Sequence, residues 1–225
     1  MKSMRRLLIS ALVAGAVASP VHAELLSVSG PNSQLAGTAP SIIAAPVFAL
    51  DGFAANTGMQ GFDEAQGLLT TANHYVDGGS FIAAGTRVDS HMIFLNSAGP
   101  AAIVQLGVVW TFSGTILGVM SDTHGTLEAA STFELGNAGT TYGTFTFRGF
   151  EPTNEIGFPN PIDAYWINGN QLTVSMGVTE PGDWIRVVTI SPIPEPEIYA
   201  MMAAGLGLLG FVGRRKRTSR KCPVA

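Results

Sequence analysis

Cysteine is almost missing from this chain of 225 residues: the single one, Cys222, stands close to the C-terminal end. The long stretch from residue 24 to residue 192 therefore holds no thiol, which excludes disulfide staples there. A domain of ~170 residues can do without them, because it buries roughly 70% of the surface its unfolded chain exposes. No cysteine follows the first apolar run closely enough for an N-terminal lipid anchor. Basic residues are nearly as scarce in the middle. Between Glu24 and Glu197 lie all sixteen acidic residues but only Arg87, Arg148 and Arg186, a net charge of −13 with histidines neutral. Phosphate backbones need clustered lysine and arginine, so nucleic acid is excluded as a partner, and any other polyanion would need bridging cations. Such acidity keeps an exported domain soluble. There is also no Gly-x-Ser-x-Gly elbow, no Asp-x-Asp-x-Asp-Gly loop and no internal repeat of solenoid or propeller period.

The apolar and basic residues missing from the middle are concentrated at the ends. Lys2, Arg5 and Arg6 precede an apolar run Leu7–Val17, followed by Val21-His22-Ala23. These are the three parts of a secretory signal peptide over residues 1–23, with a signal helix too short to span ~30 Å of hydrocarbon, and cleavage is expected after Ala23. Near the other end, residues 198–213 carry no charge and run directly into Arg214-Arg215-Lys216-Arg217. A helix of that length rises ~24 Å and can span a bilayer that thins locally while the arginines snorkel. Both apolar segments have their basic flank on the side away from the middle. By the positive-inside rule the middle lies outside the cytoplasm, which agrees with the signal peptide by an independent route.

Between body and anchor stands Ser191-Pro192-Ile193-Pro194-Glu195-Pro196, a proline-rich linker over residues 191–197 that cannot be helical. Pro194-Glu195-Pro196, the apolar segment with its Ala-Gly-Leu-Gly-Leu-Leu-Gly run, and the basic stop Arg214, Arg215, Lys216 and Arg217 together resemble the PEP-CTERM sorting signal, also known as the ice-binding protein C-terminal domain. The resemblance covers about thirty residues. It implies processing by an integral-membrane exosortase, thought to be a cysteine-type transpeptidase. It also implies export in a Gram-negative bacterium of the kind that makes exopolysaccharide and biofilm. Signal peptidase and the export translocon are the other partners it implies, with a basic tail of residues 214–225 left in the cytoplasm. The label describes sorting and does not imply ice binding.

The body, residues 24–190, reads as all-β. Alternation with period two predicts strands at Arg87–Leu95, Ile103–Phe112, Thr115–Met120, Thr126–Leu135, Thr140–Arg148, Ile162–Asn168, Gln171–Val178 and Trp184–Ile190. In Gln171–Val178, Leu172, Val174, Met176 and Val178 face a core, with Thr173 and Ser175 toward water. Turn signals separate the strands, and Asn168-Gly169 marks a hairpin. Asp63–Leu69 alone looks helical. Many short strands with such turns point to a β-sandwich or jelly roll.

Candidate chemistry is thin. Asp89 and His91 share a strand face; His74 with Asp77, or Asp122 with His124, could complete a site, but no spacing brings them together. Calcium suits the chain better than zinc, with loop acids Asp51, Asp63, Glu64, Asp77, Asp122 and Asp163 as candidates, of which Asp63, Glu64, Asp77 and Asp122 are the leading ones; no other cofactor is expected. Tyr165, Trp166, Asn168 and Trp184, with Asn170, could form a carbohydrate platform. The alternative use of these tryptophans is the core, which also needs Trp110. The expectation is a non-enzymatic surface or matrix protein contacting exopolysaccharide. Its rivals are an exported polysaccharide hydrolase and a purely structural surface protein.

Overall fold

The computed structural model describes residues 24–50, 55–97, 99, 101–143, 148–151, 162–179, 182–192 and 205–207. The chain divides into two compact units, one of His22–Pro192 and one of Met1–Val21 with Ile193–Ala225. The signal helix and nearly all of the C-terminal transmembrane helix lie outside the described residues, although residues 205–207 are helical. No helix among the described residues is long and apolar enough to cross a membrane.

In chain order the strands of the first half are β1 (Leu25–Ser29), β2 (Ser41–Ile42), β3 (Phe48–Ala49), β4 (Gln60–Asp63), β5 (Leu68–Leu69), β6 (His74–Tyr75) and β7 (Phe81–Ile82). Then follow β8 (Arg87–Leu95), β9 (Ile103–Phe112), β10 (Ile116–Met120), the helix α1 (Thr126–Leu135), β11 (Thr141–Tyr142), β12 (Ala164–Asn168), β13 (Gln171–Val178) and β14 (Asp183–Ile190). A four-stranded sheet has the order β1-β9-β13-β12, and a six-stranded one the order β10-β14-β8-β4-β2 with β5 also on β8. Two small sheets, β11-β3 and β6-β7, complete a mostly β molecule.

One core joins the two large sheets. Val108, Trp110 and Phe112 of β9 and Leu172, Val174, Met176 and Val178 of β13 pack in the same cluster as Ile93 and Leu95 of β8 and Ile185 and Val187 of β14. Each large side chain buried there contributes about 1.5–3 kcal/mol relative to exposure. The larger sheet is covered on its other face too. Val88, Met120 and Val188 meet Val76, Ile82 and α1 residue Leu135, while Met92, Phe94 and Trp184 meet Ala49 and Tyr142. This double cover explains why β8 is buried at every position after Arg87, whereas the smaller sheet keeps one face in water.

Several expectations hold residue for residue. Arg87–Leu95, Ile103–Phe112 and Gln171–Val178 are strands with those bounds, and the predicted hairpin joins β12 to β13, with Asn168 opposite Gln171 and a Gly169-Asn170 turn. Gly169 has φ +64°, the conformation that the first central position of a tight hairpin turn favours. Three expectations need correction. Thr126–Leu135 is a helix, because the Asp122 carboxylate accepts hydrogen bonds from the backbone N–H groups of Thr126 and Leu127 at 2.9 Å each and satisfies its first turn. Asp63–Leu69 is not helical: Gly67 sits at φ +64°, Glu64 donates its N–H to the Ser90 carbonyl, and both flanks pair with β8. Ser175, expected in water, is buried at a bulge, where its hydroxyl accepts the Gly107 N–H at 3.0 Å. Of Thr140–Arg148, only Thr141–Tyr142 is strand among the described residues.

Candidate functional site

Of the acidic residues proposed as metal ligands, Asp51 lies outside the described residues, and Asp63, Glu64, Asp77, Asp122 and Asp163 each accept hydrogen bonds within the protein. Glu64, fully buried beside β4, forms a bidentate pair with Arg186 of β14, at 2.7 Å from Nε and 2.9 Å from Nη2. It also accepts hydrogen bonds from Ser90 Oγ at 2.8 Å and from the Tyr142 hydroxyl at 2.6 Å. Arg186 is 0% exposed, and its Nη1 donates to the α1 carbonyl of Glu128 at 2.6 Å and to Ser131 Oγ at 2.7 Å. The Glu128 carboxylate lies 3.3 Å from Arg186 Nη2 and 3.7 Å from Arg148 Nη2. Burial alone would favour a neutral guanidinium, but Glu64 and then Glu128 hold Arg186 firmly charged. Burial first, and then the Glu64 carboxylate, push the Tyr142 phenol upward, so it remains a donor. This network fastens α1 onto the larger sheet. The sequence alone does not reveal it, because Glu64, Glu128 and Arg186 carry no common spacing.

Asp63 lies 2.6 Å from Nδ1 of His91, whose Nε2 is 3.1 Å from Thr189 Oγ1. Carboxylate, imidazole and hydroxyl thus stand in relay order, yet His91 and Thr189 are both 0% exposed, and only the Asp63 carboxylate is partly open to solvent. Asp89, on the same strand face as His91, accepts the Gly67 N–H. His74 pairs with Glu134 of α1 at 2.6 Å. Asp77 accepts from the N–H and hydroxyl of Ser121, at 3.0 and 2.7 Å, and Asp122 caps α1. No converging group of three or more metal-type ligands among the described residues includes His74, Asp77, Asp122 or His124. Among the described residues one trio of carboxylates converges, Glu151, Asp163 and Asp183, with oxygens within 4.8 Å of one another. Of these, only Asp163 was a sequence candidate. Calcium takes roughly six to eight oxygens from carboxylates, backbone carbonyls and waters, and this trio would supply part of such a set. A pocket of about 310 Å³ beside Ile43, Phe48 and Phe94 is lined, among the described residues, by apolar side chains and Gln60.

The four residues proposed for carbohydrate contact separate into three environments. Trp184 is 1% exposed on the larger sheet, stacked on Phe94 with centroids 4.1 Å apart and with the Arg148 guanidinium 5.0 Å from its ring centroid. It belongs to the core, the alternative use for a tryptophan. Tyr165 points inward from β12 against Phe150, and burial together with the neighbouring Asp77 carboxylate raises its phenol. Trp166 and Asn168 remain, two apart on β12 and both exposed on the outward face of the smaller sheet; Trp166 is 61% exposed.

The strand register defines their neighbours. Trp166 faces Thr173, Thr173 faces Val109, and Val109 faces Ser29. Asn168 faces Gln171, Gln171 faces Thr111, and Thr111 faces Ser27. These two rows cross all four strands, each spanning ~14 Å at ~4.8 Å per strand. None of their eight residues is charged.

No curated protein sequence and no solved structure matches the chain. Residues 192–217 match the family model of the PEP-CTERM protein-sorting motif. The chain accordingly carries a PEP-CTERM sorting signal, which marks it as an exported protein, anchored transiently in the membrane, with an exosortase as its processing partner.

Proposed function

We propose that the body is a non-enzymatic β-sandwich held at the cell surface or in the extracellular matrix, where it contacts exopolysaccharide. The observation that carries this reading is the sorting motif at residues 192–217, following a body whose Glu64, Glu128, Arg148 and Arg186 bind one another. Two sheets with one common core support the sandwich class. The full burial of His91 and Thr189 and the charge-neutral Glu64–Arg186–Glu128–Arg148 network speak for a scaffold rather than a hydrolase.

Mass spectrometry of the mature protein from the host, with and without its exosortase, tests the sorting half of the proposal. The expected result is a chain shortened near Pro194-Glu195-Pro196 only when the enzyme is present; an intact tail in both strains overturns it. Co-sedimentation with the host's own exopolysaccharide tests the contact half. Release of reducing sugar in the same tubes would favour the hydrolase instead, and neither binding nor release would leave a purely structural protein.

A further inference from the structure

We propose that the outward face of the four-stranded sheet is a binding platform for an uncharged polysaccharide, with the Trp166 indole as its stacking anchor. The inference rests on the exopolysaccharide reading above and specifies its site and ligand class.

The two cross-strand rows present one large exposed aromatic among hydroxyl and amide groups. The rows are Trp166–Thr173–Val109–Ser29 and Asn168–Gln171–Thr111–Ser27, and the pair beyond Trp166, half-buried Ala164 opposite buried Ser175, is also uncharged. The side chains of Ser27, Ser29, Thr173 and Asn168 make no hydrogen bond to protein among the described residues; only Gln171 Nε2 reaches across, to Thr111 Oγ1 at 3.4 Å. Their donors and acceptors are therefore available to a ligand, and the strand pairing holds them about 4.8 Å apart across the sheet. Sugar rings offer what such a face can use: apolar C–H faces to lie on an indole, and equatorial hydroxyls that both donate and accept.

Charge selects among polysaccharides. The body carries sixteen acids against three arginines between residues 24 and 197, and Arg148 and Arg186 are buried in the ionic network. An anionic glycan would meet a repulsive field, with no cation among the described residues of this face to offset it. A neutral glycan loses nothing to that field. A protein partner fits less well, because interface cores are built from several aromatic and aliphatic side chains with arginine, and these rows offer Trp166 and a half-buried Val109.

The test uses the full chain in a neutral detergent, run through native gels cast with a β-glucan, xylan, galactomannan or dextran, and in parallel with alginate or polygalacturonate. At least one neutral polymer should retard the wild-type chain and neither acidic one should. Trp166→Ala should lose about tenfold in apparent affinity, and Trp166→Phe should recover part of that loss. An unchanged thermal unfolding curve for the alanine variant confirms that the fold is intact; since Trp166 is exposed on an edge strand, a buried control, Trp184→Phe, should move unfolding and leave retardation as it was. Equal retardation of the alanine variant overturns the platform while leaving the exopolysaccharide reading standing. Retardation by the acidic polymers overturns the ligand class. If no polysaccharide, the host's own included, slows the wild-type chain, both inferences fall.

Discussion

Replacing Arg186 by methionine tests whether the buried ionic network holds the helix to the sheet. The substitution keeps an unbranched side chain of comparable length but removes the guanidinium from a site with 0% exposure. Glu64 then loses both of its bidentate contacts and keeps only the hydroxyls of Ser90 and Tyr142. Glu128 keeps Arg148 at 3.7 Å, so one carboxylate is left stranded, not two. Stranding one member of a buried pair costs about 3–5 kcal/mol. For a domain of this size, ~1 kcal/mol corresponds to roughly 3 °C, so the midpoint of thermal unfolding should fall by about 12 °C. The assay is circular dichroism of the full chain in neutral detergent, wild type beside variant. A control isolates the cause. Arg186→Met combined with Glu64→Leu removes the stranded charge, so the pair should be less destabilised than the sum of its single changes, with a coupling of at least ~2 kcal/mol. A loss under ~1 kcal/mol, or strict additivity, would refute the reasoning.

Two further outcomes follow from the packing. Burial presses the Glu134 carboxyl upward, but hydrogen bonds from Thr71 and His74 outweigh it and hold the group below its ordinary range. A depressed carboxyl adds stability above its unfolded pKa and loses it as pH falls through the folded one. Acid titration of unfolding should therefore show the wild type losing stability more steeply than Glu134→Gln in the range below ordinary glutamate values; parallel curves would contradict this. Gly61→Ala should lower the urea midpoint, because a Cβ there would lie 2.7 Å from Cζ3 of Trp110, itself wholly buried. The overpacking costs about 1–3 kcal/mol, and an unchanged midpoint would mean that Trp110 yields.

The strands were legible where a face alternates cleanly between core and water, as in Gln171–Val178, and where a glycine marks the turn, as at Gly169. They were illegible where the buried face is polar. In α1 the inward residues are Glu128, Ser131 and Leu135, so the hydropathy pattern hides a helical period that the ionic network makes necessary. Tyr165, Trp166 and Trp184 are alike as letters in the sequence. Their fates differ because one turns inward to Asp77, one stands on an outer face and one lies beneath Arg148.

Sorting could be read without any fold. Its signals are linear, consisting of a charge, an apolar run and a short motif in fixed order that membrane machinery meets along an extended chain. The tasks of the acids and aromatics were decided only by the tertiary structure. Glu64 and Arg186 are 122 residues apart, and the row from Ser27 to Asn168 exists only once four strands from both ends of the body lie in register. Contacts over such distances depend on how strands pair and which face of a sheet is covered, and neither is encoded in the local spacing of residues.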